Sequence, residues 1–151
     1  MARIHARRRG SSGSRRPLTT EAPKWQGLSK KEVKDKIVQL AKEGHTTARI
    51  GLILRDAHAV PSVHLATGQS ISKILEEAKL APKLPEDITN LIKKVIRLDE
   101  HLQEKRNDLH NKRSLHLNEA KIRRLARYYK STGKLAPEWS YSLKNAKLLV
   151  E

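Results

Sequence analysis

Residues 98–129 read LDEHLQEKRNDLHNKRSLHLNEAKIRRLARYY, a stretch with three histidines, two tyrosines and one polar break. Leading into it, Ile88, Leu91, Ile92, Val95, Leu98 and Leu102 recur at helical spacing, the stripe of a helix that hides one face. Beyond the break, Leu115, Ile122, Leu125, Ala126 and Tyr129 form a second stripe. Pro85 suits the first turn of the first helix, and Glu86 and Asp87 complement its positive end. This helix is predicted to end within Asn107 to Asn111, where polar side chains compete with the backbone. The second should run from Lys112 to about Ser131, with Gly133 as its left-handed cap. Two long helices joined by a few polar residues pack antiparallel as a hairpin.

Working upstream, Leu80 to Pro85 (LAPKLP) holds two prolines and marks a hinge or boundary. Before it the spacing predicts three short helices. Ser29 and Glu32 form a capping box ahead of Val33, Ile37, Leu40 and Ala41, and Gly44 closes that helix. Thr46 or Thr47 caps a second helix with Ile50, Ile53, Leu54 and Ala57 inward, which Pro61 stops. After a loop around Val63 to Gly68, Ser70 opens a third with Ile71, Ile74, Leu75 and Ala78 inward. Trp25 and Leu28 are expected to dock on the first helix. The fold class is therefore all-α: a basic arm over 1–24, a small helical bundle over 25–80, a helical hairpin over 81–133 and an irregular tail over 134–151. In that tail Trp139 and Tyr141 can anchor on the chain's own helices or on a nucleic-acid base, with the former preferred.

The 151 residues carry 32 Lys and Arg against 16 Asp and Glu, a formal charge of +16 that calls for a polyanionic partner. Nucleic acid leads. No apolar run approaches the roughly 20 residues that span a bilayer, and the basic opening is followed by no apolar signal region, so a cytosolic protein is expected. The absence of cysteine excludes disulfides and thiolate metal sites. Arg3, Arg7, Arg8, Arg9, Arg15 and Arg16 lie among Gly, Ser and Pro, a composition expected to be disordered when free and to bind phosphates, or else to act as a solubilising tail.

Two groups of side chains in the hairpin carry the functional expectation. His101 and Asp108, with Lys105 between them, fall two turns apart, and Asn111 follows at the break. An imidazole, a carboxylate and a carboxamide can exchange hydrogen bonds with base edges and 2′-hydroxyls in the shallow groove of RNA. The plainer alternative has Asp108 capping the next turn or pairing with Lys112. On the second helix Arg113, His116, Arg123, Arg127 and Lys130 share a face, with Lys121, Arg124 and Tyr128 beside it. Such a face is usually just solvated, but here cations far outnumber acids, which favours phosphate contact. No Walker loop, HExxH helix or nucleophile elbow is present, so neither an enzyme, a cofactor, a metal nor a small-molecule substrate is expected. Tyr128 among arginines lacks the pocket that a DNA-cleaving tyrosine requires. A helix-turn-helix DNA regulator using residues 45–79 is the alternative class, although its reading helix offers only Arg49, Arg55 and Asp56.

DEHL at 99–102, KRNDLHNKRSL at 105–115 and KIRRLARYYK at 121–130 resemble the family of the fifteenth protein of the small ribosomal subunit, numbered thirteenth in eukaryotes. RIHARRRGSSGSRRP, GHTTARIGLILRD, LPEDI and LAPEWSY resemble its longer archaeal and eukaryotic form, the opening being closer to archaea. The resemblance implies an all-helical binder of small-subunit rRNA that fixes a three-way helical junction during assembly of the central domain. It implies neighbouring ribosomal proteins as partners and a position near a bridge to the large subunit. By the same resemblance His101, Asp108 and Asn111 contact an internal RNA helix, and Arg124 and Tyr128 occupy family positions in the basic helix. Asn111 stands where the family commonly has Ser, and Ser114 where it has Gly.

Overall fold

The structure, a computed structural model, describes residues 12–13, 18–143 and 145–148. All six arginines of the basic arm named above lie outside these residues. The elements are all helical: α1 Lys30–Lys42, α2 Thr47–Ala57, α3 Val63–Thr67, α4 Ile71–Glu77, α5 Glu86–Glu104 and α6 Leu109–Ser131.

The capping box forms as expected, with the Glu32 carboxylate accepting the Ser29 N–H at 2.7 Å and the Ser29 hydroxyl accepting the Glu32 N–H at 3.4 Å. Val33, Ile37 and Leu40 of α1 meet Ile50 and Leu54 of α2 and Ile74 and Leu75 of α4 in one apolar cluster. Gly44 follows α1 at φ +85°, the left-handed geometry its position predicted. Ala57, expected inward, is exposed because α2 ends there and Val60 takes the buried place, its N–H reaching the Leu54 carbonyl at 2.9 Å. The expected loop at Val63 to Gly68 is instead one helical turn, making four helices in this part of the chain. Ser62 caps the turn through the Leu65 N–H, and the buried Thr67 hydroxyl donates to the Val63 carbonyl at 2.8 Å. A single turn is too short to show a 3.6-residue period. Trp25 also departs from expectation: Leu28 packs on the cluster, whereas Trp25 is 66% exposed.

Residues 78–85 then lead to a second cluster, formed by the hairpin. Pro85 sits at the N-cap of α5, one position before the first turn, with Glu86 and Asp87 inside it. Ile88, Ile92 and Val95 of α5 are fully buried against Leu115 and Ile122 of α6. Helix α5 stops at Glu104 and α6 begins at Leu109, so the break covers residues 105–108, three residues earlier at its far end than expected. The cause is Asp108, which caps α6 by accepting the Asn111 N–H at 2.9 Å and so recruits residues 109–111 into the helix. Gly133 follows α6 at φ +73°.

The tail completes this second core. Leu135 and Ala146 are buried in it, Trp139, Tyr141 and Leu143 pack on it, and Lys147 pairs with Glu100 of α5 at 3.0 Å. The preference for docking on the chain's own helices is thus borne out. Contact between the two clusters runs through Glu86, whose carboxylate accepts from the Thr47 hydroxyl and from the Ala48 N–H at 3.2 Å, at the N-terminus of α2. Partial burial raises the Glu86 carboxyl, but these hydrogen bonds outweigh it and hold the group below its ordinary value.

Candidate nucleic-acid interface

At the hairpin turn the structure brings His101, Asp108 and Asn111 together. His101 stands on the last turn of α5, Asp108 is the N-cap of α6 and Asn111 lies in its first turn. Asp108 and His101 are therefore not two positions on one helix, as their spacing suggested, but face each other across the turn. His101 Nε2 lies 3.0 Å from Asp108 Oδ2, and Asn111 Nδ2 donates to the same oxygen at 2.7 Å. Asn111 Nδ2 is also 3.3 Å from His101 Nε2. Asp108 is the acceptor of the three, so in the neutral ring Nε2 carries the proton toward the carboxylate and Nδ1 is the acceptor.

This carboxylate receives the Asn111 N–H, the His101 ring and the Asn111 side chain, and these donors, in that order of weight, hold its pKa down at about 2. Three of its roughly four acceptor positions are used inside the protein. Capping, the plainer of the two readings of Asp108, does occur, but pairing with Lys112 does not: Lys112 is exposed and gives only its backbone N–H to the Asp108 carbonyl, at 3.0 Å. Lys105 is the exposed C-cap of α5 beside the group.

Along α6, Arg113, His116, Lys121, Arg123, Arg124, Arg127 and Tyr128 are exposed and Lys130 is half-buried. Tyr128 is 58% open and stands edge-on to Tyr129, ring centroids 5.3 Å apart. Sequence spacing passed over Glu119, a carboxylate on this cationic face. It lies 3.8 Å from His116 Nδ1 and 3.9 Å from Arg123, at i−3 and i+4 steps that could have exposed the pairing. Among the described residues no ion pair involves Arg113, Lys121, Arg124, Arg127 or Lys130. Asn118 was also missed. It is buried in the middle of α6 and turns its amide back to the Ser114 carbonyl at 2.8 Å.

At its far end the hairpin is tied by Tyr129 of α6, which donates to Asp87 of α5 at 2.7 Å. Burial, then this bond to a carboxylate, pushes the phenol up to about 12. The candidate DNA-reading helix α2 offers less: Arg55 is engaged with its neighbour Asp56 at 2.7 Å. Among the described residues no helix is long and apolar enough to cross a membrane.

Comparison with known proteins gives the class first. A family model described as Ribosomal S13/S15 N-terminal domain matches residues 1–60, and one described as Ribosomal protein S15 matches residues 71–149. The molecule is thus a structural, non-enzymatic ribosomal protein. The small ribosomal subunit protein uS15 of Methanococcus vannielii is 50% identical over 151 residues, 100% of both chains. Those of Methanospirillum hungatei and Methanoregula boonei are 49% and 50% identical over 150 residues, 99% of each chain. The chain belongs to the uS15 family of the small ribosomal subunit. A helix-turn-helix regulator is accordingly set aside.

Proposed function

We propose that the protein binds small-subunit rRNA at a helical junction and supports assembly of the subunit's central domain, in the cytoplasmic ribosome. The observation that carries this reading is the division of the hairpin surface. The turn presents an ordered His101, Asp108 and Asn111 group, and the adjoining outer face of α6 presents Arg113, Lys121, Arg124, Arg127 and Lys130, which have no ion-pair partner among the described residues. The first supplies hydrogen-bonding selectivity and the second supplies phosphate affinity. Asp108 acts chiefly by fixing the tautomer of His101 and the amide of Asn111, with one acceptor position left for a base amino group or a 2′-hydroxyl. His101 Nδ1 and Asn111 Oδ1 are the further atoms available to RNA. Asn111 takes the place of the family's usual Ser without losing the link to the carboxylate.

Arg113, His116, Arg123, Arg127 and Lys130, with Lys121 and Arg124 alongside, would clamp phosphates, and Tyr128 would lay its ring or hydroxyl on the same RNA. In this division of labour residues 81–133 carry the contact, residues 25–80 form a separately packed bundle and 134–151 close the hairpin core. The arginines of residues 1–24 would add phosphate contacts, and neighbouring ribosomal proteins and a large-subunit bridge would complete the surroundings. The test uses the full chain, since Leu135 and Ala146 belong to the hairpin core. Asp108→Ala should erode discrimination between cognate and mutated junction RNA, whereas Arg127→Ala should weaken both alike and lower the salt slope by up to about one unit. Binding to duplex DNA as tight as to junction RNA would sink the reading.

A further inference from the structure

Trp25 is the exposed one of the chain's two tryptophans, its counterpart Trp139 being packed on the hairpin core. It stands on a short ordered turn. The Gln26 N–H reaches the Pro23 carbonyl at 3.1 Å, the Gln26 amide reaches the Leu28 carbonyl at 3.2 Å, and Leu28 packs on the bundle core. The ring is therefore held out from a fixed backbone. Around it in the chain Lys24, Gly27, Lys30 and Lys31 are exposed, and Glu32, the nearest acid downstream, is taken up in the capping box. The next exposed large apolar side chain upstream is Leu18. A protein-docking site would surround such a ring with apolar surface, and here the exposed charged side chains nearest in the chain are Lys24, Lys30 and Lys31 against Glu21 upstream.

We infer that Trp25, with Lys24, Lys30 and Lys31, is a second RNA contact, in which the indole stacks on an unpaired base and the ammonium groups take the flanking phosphates. The inference rests on the RNA-binding reading of the hairpin and places a separate contact on the helical bundle. Stacking on an aromatic ring tolerates any base, so this contact adds affinity and holds the bundle on the RNA without reading sequence. Its lysines act through the salt-dependent counterion effect, while the ring does not.

The test measures binding of the full-length chain to deproteinised small-subunit rRNA. Trp25→Ala should weaken binding by about tenfold and Trp25→Tyr by much less, with an unchanged salt slope and unchanged helicity for both. The paired change Lys30→Ala and Lys31→Ala should lower the slope. In reconstituted small subunits, p-benzoylphenylalanine at position 25 should photo-crosslink to RNA. A Trp25→Ala affinity within about twofold of the parent, or a photo-adduct on a neighbouring protein or on the chain's own arm, would overturn the inference. Loss of effect at Arg127 and Asp108 as well would implicate the RNA-binding reading itself. Normal sensitivity at those two positions beside an inert Trp25 would confine the failure to this contact.

Discussion

Leu135 and Leu148 are the same residue type in the same tail, and the structure assigns them opposite roles: Leu135 is 6% exposed and Leu148 is 75% exposed. Leu135→Ala removes three carbons from the cluster that contains Ile88, Ile92, Val95, Leu115 and Ile122. At about 0.8 kcal/mol per buried methylene the transfer loss is about 2.4 kcal/mol, and incomplete collapse of the space left behind extends the cost to about 4 kcal/mol. Leu148→Ala should change stability by less than about 0.5 kcal/mol. Urea unfolding of the two full-length variants, followed by circular dichroism, checks this directly. With a slope near 2 kcal/mol per molar urea, the Leu135→Ala midpoint should fall by about 1–2 M and the Leu148→Ala midpoint should hardly move. Equal midpoints would mean that the tail is not part of the hairpin core. The consequence for function is direct: a chain cut after Gly133 would retain the named RNA-facing residues but lose part of the packing that holds α5 against α6.

Three further outcomes are expected. The depressed pKa of Asp108 means that its contribution to stability is fully present above its ordinary value of 3.8 and is lost as pH falls through about 2; Asp108→Asn should therefore make acid unfolding shallower between those values, and superimposable acid titrations would contradict the hydrogen-bond set. Tyr129→Phe should cost about 1 kcal/mol in urea at neutral pH and remove one of the two phenols, Tyr129 and Tyr141, that ionise near pH 12. Because the Tyr129 value is raised, its contribution is complete below pH 10 and disappears as pH rises through about 12, so a wild-type advantage that grows with alkalinity would refute the assignment. Glu86→Ala should accelerate amide exchange at Ala48 while leaving Ile92 and Val95 protected, and unchanged exchange at Ala48 would show that Glu86 does not tie the bundle to the hairpin.

The parts of the fold legible in the sequence are those where one physical signal dominates. The stripe from Ile88 to Leu102 repeats over several turns, and the capping box at Ser29 and the glycines at 44 and 133 each meet one local requirement, so α1, α5 and the end of α6 fall close to expectation. The turn at 105–108 was harder because Asp108 offers two services at once: its spacing puts it on the first helix and leaves capping only as the plainer alternative, although that cap sets where α6 begins. Helix α3 is one turn long and leaves no period to detect. Trp25 and Trp139 were indistinguishable in kind, since docking of an aromatic ring from an irregular segment depends on tertiary fit. Leu135 and Ala146 escaped for the same reason. In the candidate site the grouping of His101, Asp108 and Asn111 was legible, whereas the balance of their hydrogen bonds was not, and Glu119 was hidden as a single acid on a face crowded with cations.

The carboxylates of the hairpin explain how a chain of charge +16 keeps its cations pointed outward. Glu86 accepts from the N-terminus of α2, Asp87 from Tyr129, Glu100 from the tail's Lys147, and Asp108 from His101 and Asn111. Each of these acids is spent on joining one element to another, and among the described residues the ion pairs made by His116 and Arg123 of α6 go to Glu119. Hydrogen bonds at those joints, together with the Lys147–Glu100 ion pair, strengthen the scaffold without neutralising Arg113, Arg124, Arg127 or Lys121. Those four remain to repel one another in the free protein, a strain that a polyanion relieves. The same sequence choice thus serves both stability and affinity, and it predicts where the two separate. Charge reversal at Glu119 should leave the helical contacts intact while raising affinity for RNA and steepening its salt dependence, because a positive residue there would extend the clamp across the His116 to Arg123 interval. Weaker binding on Glu119→Lys, measured with the same rRNA across a salt series, would show instead that Glu119 orders His116 and Arg123 for their contacts.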